Sequence, residues 1–323
     1  MDVVHLATSV HCVGRYLMEQ GAPPCEILRE IVLPPDLLFD SRAWIPRDEV
    51  FVLGHLLEER LGDPLAVLHC LERFSLSEYG NWYVQLAGKA DLYQMLRHLC
   101  LIVVRLETGT RLSLHIHGKE CRLRAVMIGE FKQSPNSQIE GLLFNLSRAL
   151  QMAGDEFPIR VCLPHSAHDV TALEQIYGHP VSFSCDHAEL AFPSEALELP
   201  ISKRQEDSLV TAQGTEFTCR EVYRVIQSTL DFDCPTARQV SGELSINLRS
   251  MQRHLAAWGV SFEEMVDTYR QRLALQYLTE QADSVTDIAQ RLGYSDAAHF
   301  TRAFRRWYGV PPTTYRRESL QRG

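Results

Sequence analysis

The stretch from Val285 to Arg316 constrains this chain more than any other. A short amphipathic segment ends at the turn Gly293-Tyr294-Ser295, and a new helix is expected from Asp296, whose carboxylate can accept backbone N–H bonds as an N-cap. In that helix Phe300, Phe304 and Trp307 recur at helical spacing and must face a core. His299, Arg302, Arg305 and Arg306 then fall on the opposite side, a cationic face of a width that fits a DNA major groove. A solvated basic face would explain the charge, but not the cap, turn and two-sided pattern together. The pattern predicts a helix-turn-helix that reads duplex DNA.

A second unit with a weaker pattern runs from Pro235 to Gly259. Thr236 to Leu244 can form its supporting helix, with Val240 and Leu244 inward, and Asn247 can cap the helix that follows. Leu248, Met251 and Leu255 make the apolar stripe, which leaves Arg249 and Arg253 exposed and Gln252 at the edge. Arg can bond bidentately to guanine and Gln to adenine, so these residue types suit base readout; a structural helical hairpin fits the segment's pattern equally well. Between the units, Ser261 followed by Glu264 has capping-box spacing and predicts a long helix from Phe262 to about Leu278, with Phe262, Val266, Tyr269 and Leu273 packed. At about 1.5 Å per residue it would span roughly 25 Å. A rigid connector of that length could hold two recognition helices in successive major grooves, about 34 Å apart.

Residues 215–317 resemble the DNA-binding domain of the AraC/XylS transcription regulators. The resemblance is carried by Ser250 to Leu255, by Ser261, Phe262 and Arg270, and above all by Ile288 to Tyr294, Phe304 to Gly309, Pro312, Tyr315 and Arg316. It implies that base-reading positions fall on Arg249, Gln252 and Arg253 in the first recognition helix and on Ala297, Ala298, His299 and Arg302 in the second; Arg305 and Arg306, on the cationic face, are the candidate phosphate contacts. Ser241 stands where the family usually has Ala, and Ser245 where its turn usually has Gly. Alanines cannot hydrogen-bond to bases through their side chains, so the second helix is left with thymine-methyl contacts and Arg302, and the first is expected to discriminate more.

Charge agrees with this allocation. Of 32 Lys and Arg residues, 14 lie in residues 211–323, all of them Arg, against 13 Asp and Glu there; the remainder holds 18 basic and 28 acidic residues. DNA binding must therefore come from the local arrangement of arginines, because the chain as a whole carries a net charge of −9. With 323 residues and 45% hydrophobic content, two or three domains are expected. The first ten residues lack the basic start of a secretory signal, and the longest apolar run, Leu99 to Val104, is too short to cross a bilayer, so a cytoplasmic protein is expected. Nine cysteines without a C-x-x-C pair fit a reducing compartment.

The domain division read from the sequence is an α+β module over 1–195, a linker over 196–214 in a stretch rich in Pro, Glu, Gln and Ser, and an all-α module over 215–323. The helix-turn-helix units fall at about 235–259 and 284–309. In the first module, helices are predicted at Asp2 to Gln20, Pro24 to Val32, Pro46 to Leu61 and Ala90 to Glu107. A hairpin turns at Gly118-Lys119, pairing Ile116 with Cys121, Leu114 with Leu123 and Leu112 with Ala125 on one face. His117 with Glu120, His115 with Arg122 and Ser113 with Arg124 pair on the other. Helices at Ser137 to Ala153 and Asp169 to Tyr177 follow, with strands at Pro158 to Leu163, Val181 to Ser184 and Glu189 to Phe192, giving a small, mostly antiparallel sheet flanked by helices.

This module is similar to the amino-terminal effector-type domain of one AraC subgroup, often called arabinose-binding-like. The likeness rests on Leu61-Gly-Asp-Pro64, Glu78-Tyr-Gly80 with Leu86 and the helix from Asp91, and Gln175 to Phe183 leading to Ala191-Phe-Pro193. It implies a sensor or oligomerisation domain. An enzyme finds no support: there is no G-x-S-x-G elbow, P-loop or G-x-G-x-x-G, and the pair His115-x-His117 has no third metal ligand at a recognisable spacing. His11-Cys12, His69-Cys70, Cys100, Trp82, Tyr83 and Tyr93 read as core residues first, the aromatics having a pocket as the alternative.

The expected function is sequence-specific transcription regulation, as an activator, through promoter DNA and RNA polymerase, controlled by a small-molecule effector or by homodimerisation, with no cofactor, metal or membrane. Two other readings remain open, a ligand-independent regulator whose first module only dimerises or binds a partner protein, and a low-specificity architectural DNA-binding protein.

Overall fold

The computed structural model describes residues 4–6, 11–31, 33–40, 43–155, 157–166, 169–202, 215–230, 234–280 and 283–322. In chain order these form β1 (Val4–Leu6), α1 (His11–Glu19), α2 (Pro24–Glu30), β2 (Trp44–Pro46), α3 (Arg47–Leu61), α4 (Ala66–Glu72), α5 (Asn81–Ala87) and α6 (Leu92–Ile102). Then come β3 (Thr110–His117), β4 (Glu120–Met127), α7 (Asn136–Leu150), β5 (Arg160–Cys162), α8 (Val170–Tyr177), β6 (Val181–Ser182) and β7 (Ala188–Pro193). The remainder is helical: α9 (Thr215–Thr229), α10 (Ala237–Glu243), α11 (Leu248–Ala257), α12 (Phe262–Glu280), α13 (Val285–Arg291), α14 (Ala297–Tyr308) and α15 (Pro312–Arg322). The expected α+β and all-α classes are both present.

Two compact units share the chain, one built from residues 1–22 and 41–211 and the other from 23–40 and 212–323. The first holds a five-stranded sheet in the order β3-β4-β7-β5-β6, antiparallel except for the β5–β6 pair. The β3–β4 hairpin has the register that its two alternations dictate, with Ile116 opposite Cys121 and His115 opposite Arg122. Cys121, Leu123 and Ala125 are buried on one face. On the other, Glu189 of β7 is bracketed by Arg122 at 2.9 Å and Arg124 at 3.2 Å. A sheet face carrying such pairs is satisfied by its own charges.

The sequence reading needs correction at several elements. Val4–Leu6, expected in a helix, is a strand paired with Trp44–Pro46; an extended partner from a distant segment overrides helical spacing in so short a run. The helix expected over Ala90 to Glu107 is α6 followed by a 3-10 turn at Val103–Arg105. Its start is set by Asp91, which accepts from the Gln94 N–H, and the β-branched run Ile102-Val103-Val104 weakens its end. The seven-residue helices α4 and α5 had no clear periodicity to announce them. Part of the expected linker is ordered structure of the first unit: Ser194–Glu198 is a 3-10 turn, Leu199 accepts from the Leu92 N–H, and Ser202 donates to Met152. Residues 203–214 of that linker lie outside the described residues.

Segment 23–40, read from sequence as part of the first module, packs within the second unit. The Cys25 N–H donates to the Trp258 carbonyl at 2.9 Å, and Arg29 reaches the Gly259 carbonyl at 2.7 Å and Glu264 at 3.0 Å. Phe39 stands 5.3 Å from the Trp258 ring and 6.5 Å from Tyr223. Tyr223 donates to Asp36, and Arg272 of α12 pairs with Asp40 at 2.6 Å and donates to the Tyr223 hydroxyl at 2.6 Å. Burial raises the Asp36 carboxyl above its ordinary range, with Arg272 opposing. No local periodicity signals such a cluster, because Asp36 and Tyr223 stand 187 positions apart and Arg29 and Glu264 stand 235 apart.

Candidate nucleic-acid interface

The two helix-turn-helix units are built by the same local chemistry. Each supporting helix opens with a capping box: Thr236 with Gln239 before α10, and Ser284 with Asp287 before α13. The turns repeat bond for bond. Ser245 donates to Gly242 and Ile246 to Ser241 in the first; Gly293 donates to Gln290 and Tyr294 to Ala289 in the second. Both turns need a left-handed residue, with φ of 54° at Ser245 and 74° at Gly293. Gly293 is also sterically required, because a Cβ there would lie 2.9 Å from Cys234 Cβ. At Ser245 the first unit tolerates a conformation that costs an L-residue energy. Ser245→Gly is therefore expected to stabilise the protein by about 1 kcal/mol, read as a raised denaturation midpoint; a lowered midpoint would show that the Ser245 side chain repays the strain. Ser241, buried where the family has Ala, satisfies its hydroxyl locally by donating to the Arg238 carbonyl at 3.0 Å.

Asn247 caps α11 by accepting from the Arg249 N–H at 2.8 Å. Met251 and Leu255 are buried, so Arg249, Gln252 and Arg253 come together on the exposed side of that helix. Among the described residues their side chains make no hydrogen bond or ion pair. Arg and Gln side chains held ready and unpaired on one helix face can bond base edges without first breaking a protein contact.

In the second unit Asp296 caps α14, accepting from the His299 N–H at 2.7 Å, and that backbone bond holds its carboxyl below the usual range. Phe300 and Phe304 are fully buried and Trp307 half-buried, as the spacing required. Ala298, His299, Arg302, Arg305 and Arg306 are exposed, and Ala297 is half-buried. His299 is less free than expected: its Nδ1 meets Ser295 Oγ at 2.6 Å and Asp296 Oδ2 at 2.9 Å, leaving Nε2 for a partner. Arg306 pairs with Asp267 of α12 at 3.1 Å, whereas Arg302 and Arg305 have no partner among the described residues. Sequence reasoning passed over Asp267 and Ser295, which carry no base-reading signature of their own.

The connector α12 starts at the expected capping box, Glu264 N–H donating to Ser261 Oγ and Ser261 N–H to Glu264. Its 19 residues span about 28 Å at 1.5 Å each. Arg270 fixes it to the second unit: Nε donates to the Leu292 carbonyl at 2.9 Å, Nη2 meets Cys234 Sγ at 2.9 Å, and the guanidinium lies 4.9 Å from the Tyr294 ring centre. Burial pushes the Tyr294 phenol up to about 12. Tyr308 donates to the Gln271 carbonyl and Arg316 to that of Leu278, so α14 and α15 are also tied to the connector. The connector is thus held along its length against the second helix-turn-helix.

Comparison with known proteins follows the same division. A helix-turn-helix domain family matches residues 240–318, and the amino-terminal arabinose-binding domain of AraC transcription regulators matches residues 21–201, more than half of the chain. The ornithine utilization regulator of Pseudomonas aeruginosa is 29% identical over 276 residues, covering 79% of each chain. An HTH-type transcriptional regulator of Mycobacterium tuberculosis is 26% identical, covering 98% of this chain and 97% of its own. The crystal structure of the regulator CdpR from Pseudomonas aeruginosa aligns over 96% of this chain and 98% of its own, with 21% identity and a TM-score of 0.44. These families and relatives are transcription regulators rather than enzymes. With both family matches in place on the two helix-turn-helix units and the α+β module, the chain belongs to the AraC transcription regulators and is a DNA-binding regulator of that type.

Proposed function

We propose that this regulator reads promoter DNA as a single chain through α11 and α14, over a site longer than one helical turn, with α11 supplying most of the base discrimination. The observation that carries this reading is the contrast between the helices. Arg249, Gln252 and Arg253 are exposed and uncommitted, whereas α14 offers two alanines, a histidine engaged by its own cap and Arg302. The first unit would act as an effector or dimerisation module that shifts the DNA-competent population, a coupling of about 1–3 kcal/mol in typical cases. Activation through RNA polymerase, in the cytoplasm, is the outcome that the family resemblance favours.

Selection of genomic fragments by the full-length protein tests the proposal. A motif spanning more than one turn, bound by one chain, supports tandem readout; two half-sites bound by two chains would make dimerisation part of recognition, and absence of a motif would remove sequence-specific reading.

Phosphate contact makes a separable prediction. Arg305→Ala is expected to lower the slope of log affinity against log salt by about 0.9. Arg306→Ala is expected to lower it less, because Arg306 must leave Asp267 to reach DNA. Equal losses in fluorescence-anisotropy titrations would show that the Asp267 pair opens on binding.

A further inference from the structure

A cavity of about 150 Å³ lies in the first unit, lined from α1, α3, α4, α5, α6 and α7. Its wall is apolar for the most part and includes the aromatic side chains Tyr79, Trp82 and Tyr83. Polar side chains interrupt it, among them Gln138, Glu107 and Asn145. Glu107 is 7% exposed, and Asn145 carries a carboxamide oxygen that is buried without a hydrogen-bond partner. A buried polar atom without a partner is rare in folded proteins and calls for an explanation. An apolar cavity of roughly this volume stays dry and holds a benzene-sized molecule. The thiols on its wall do not suggest redox chemistry: burial pushes Cys12 up to about 12 and raises Cys70 well above the ordinary range, so neither forms a thiolate readily.

We propose that this cavity binds a monocyclic aromatic molecule bearing one O–H or N–H donor, of the phenol or aniline class, with the donor satisfying Asn145 Oδ1 and the ring packed among Tyr79, Trp82 and Tyr83. The inference deepens the effector reading of the first unit and rests on it for its regulatory meaning, but the site itself stands on the cavity and the orphaned oxygen. Small apolar pockets with a few convergent polar groups are the usual form of such sites. A ligand without a donor would leave Asn145 as it is.

The test uses the full-length protein and two probes of nearly equal shape, phenol and toluene. Phenol is expected to raise the melting temperature in a concentration-dependent way. In Asn145→Leu the preference for phenol over toluene, taken as a ratio of dissociation constants, is expected to fall about tenfold while toluene still binds. Ala149→Phe, which places a ring in the cavity, is expected to abolish the shift from both probes. No shift with either probe in the unaltered protein, an unchanged preference in Asn145→Leu, or an undiminished shift in Ala149→Phe would each overturn the proposal. If Ala149→Phe fails to fold, the Asn145→Leu ratio decides alone. DNA affinity separates the site from its regulatory role. A phenol shift that Ala149→Phe removes, with DNA affinity unchanged by phenol, supports the site and sinks effector control through it. A phenol-dependent DNA affinity that persists in Ala149→Phe overturns the site and leaves effector control standing elsewhere.

Discussion

The fragment 205–323, made without residues 23–40, is expected to melt on the order of 15 °C below the same fragment carrying 23–40 on a flexible tether. The difference follows from what the segment contributes. Phe39 is 7% exposed against Trp258 and Tyr223, and its burial alone stabilises by about 2–3 kcal/mol. Leu37 and Leu38 are buried beside it. Removing the segment also takes from Tyr223 and Arg272 their carboxylate partners Asp36 and Asp40. A total of about 4 kcal/mol is a large part of the 5–15 kcal/mol that holds a domain together, and each kcal/mol moves the midpoint of a domain this size by about 4 °C. Circular dichroism melts of the two fragments at matched concentration decide the matter. Equal midpoints would mean that the second unit is complete without 23–40 and that the segment only rests on it.

Arg253→Ala and Arg249→Ala are each expected to weaken binding to the selected site by about 1–3 kcal/mol and to relax preference at one base position apiece. The side chains are exposed and unpaired on α11, so truncation removes no fold-stabilising contact and the loss can be read as recognition. Arg302→Ala in α14 is expected to cost less discrimination, because Ala297 and Ala298 beside it offer only methyl groups. Repeating the fragment selection with each variant gives the result position by position. A first-helix double variant that keeps the original motif would move base readout away from α11.

What could be read from the sequence followed how local the determining physics is. The second helix-turn-helix was legible because its cap, its left-handed glycine and its aromatic stripe lie within a few residues of one another. The first was fainter for a specific reason: Ser245 occupies the left-handed turn position and so hides the glycine that marks it. The β3–β4 register was legible because two alternations had to agree. The pairing of Val4–Leu6 with Trp44–Pro46, and the docking of 23–40 onto Tyr223, Trp258 and Arg272, were not. Both depend on partners far along the chain, and nothing in either segment names its partner. For the same reason the amino-terminal family match, which begins at residue 21, runs through a segment that packs with the carboxy-terminal unit. At the interface, the free side chains were read correctly as exposed, but the hold of Asp267 on Arg306 and of Ser295 on His299 needed coordinates.

The division of the second unit between 23–40 and 212–323 also sets an order of events in the making of the protein. Residues 23–40 leave the ribosome well before residues 212–323, with Phe39 and its neighbouring leucines still without the surfaces that cover them. At elongation rates of about 5–20 residues per second the intervening stretch takes on the order of ten seconds or more to synthesise. During that interval the segment is an exposed apolar strip suited to chaperone capture, and the DNA-reading unit lacks most of its helices. Only a chain translated through residues 212–323 can assemble the DNA-binding unit, so a product cut short before them holds the α+β module without the helix-turn-helix units.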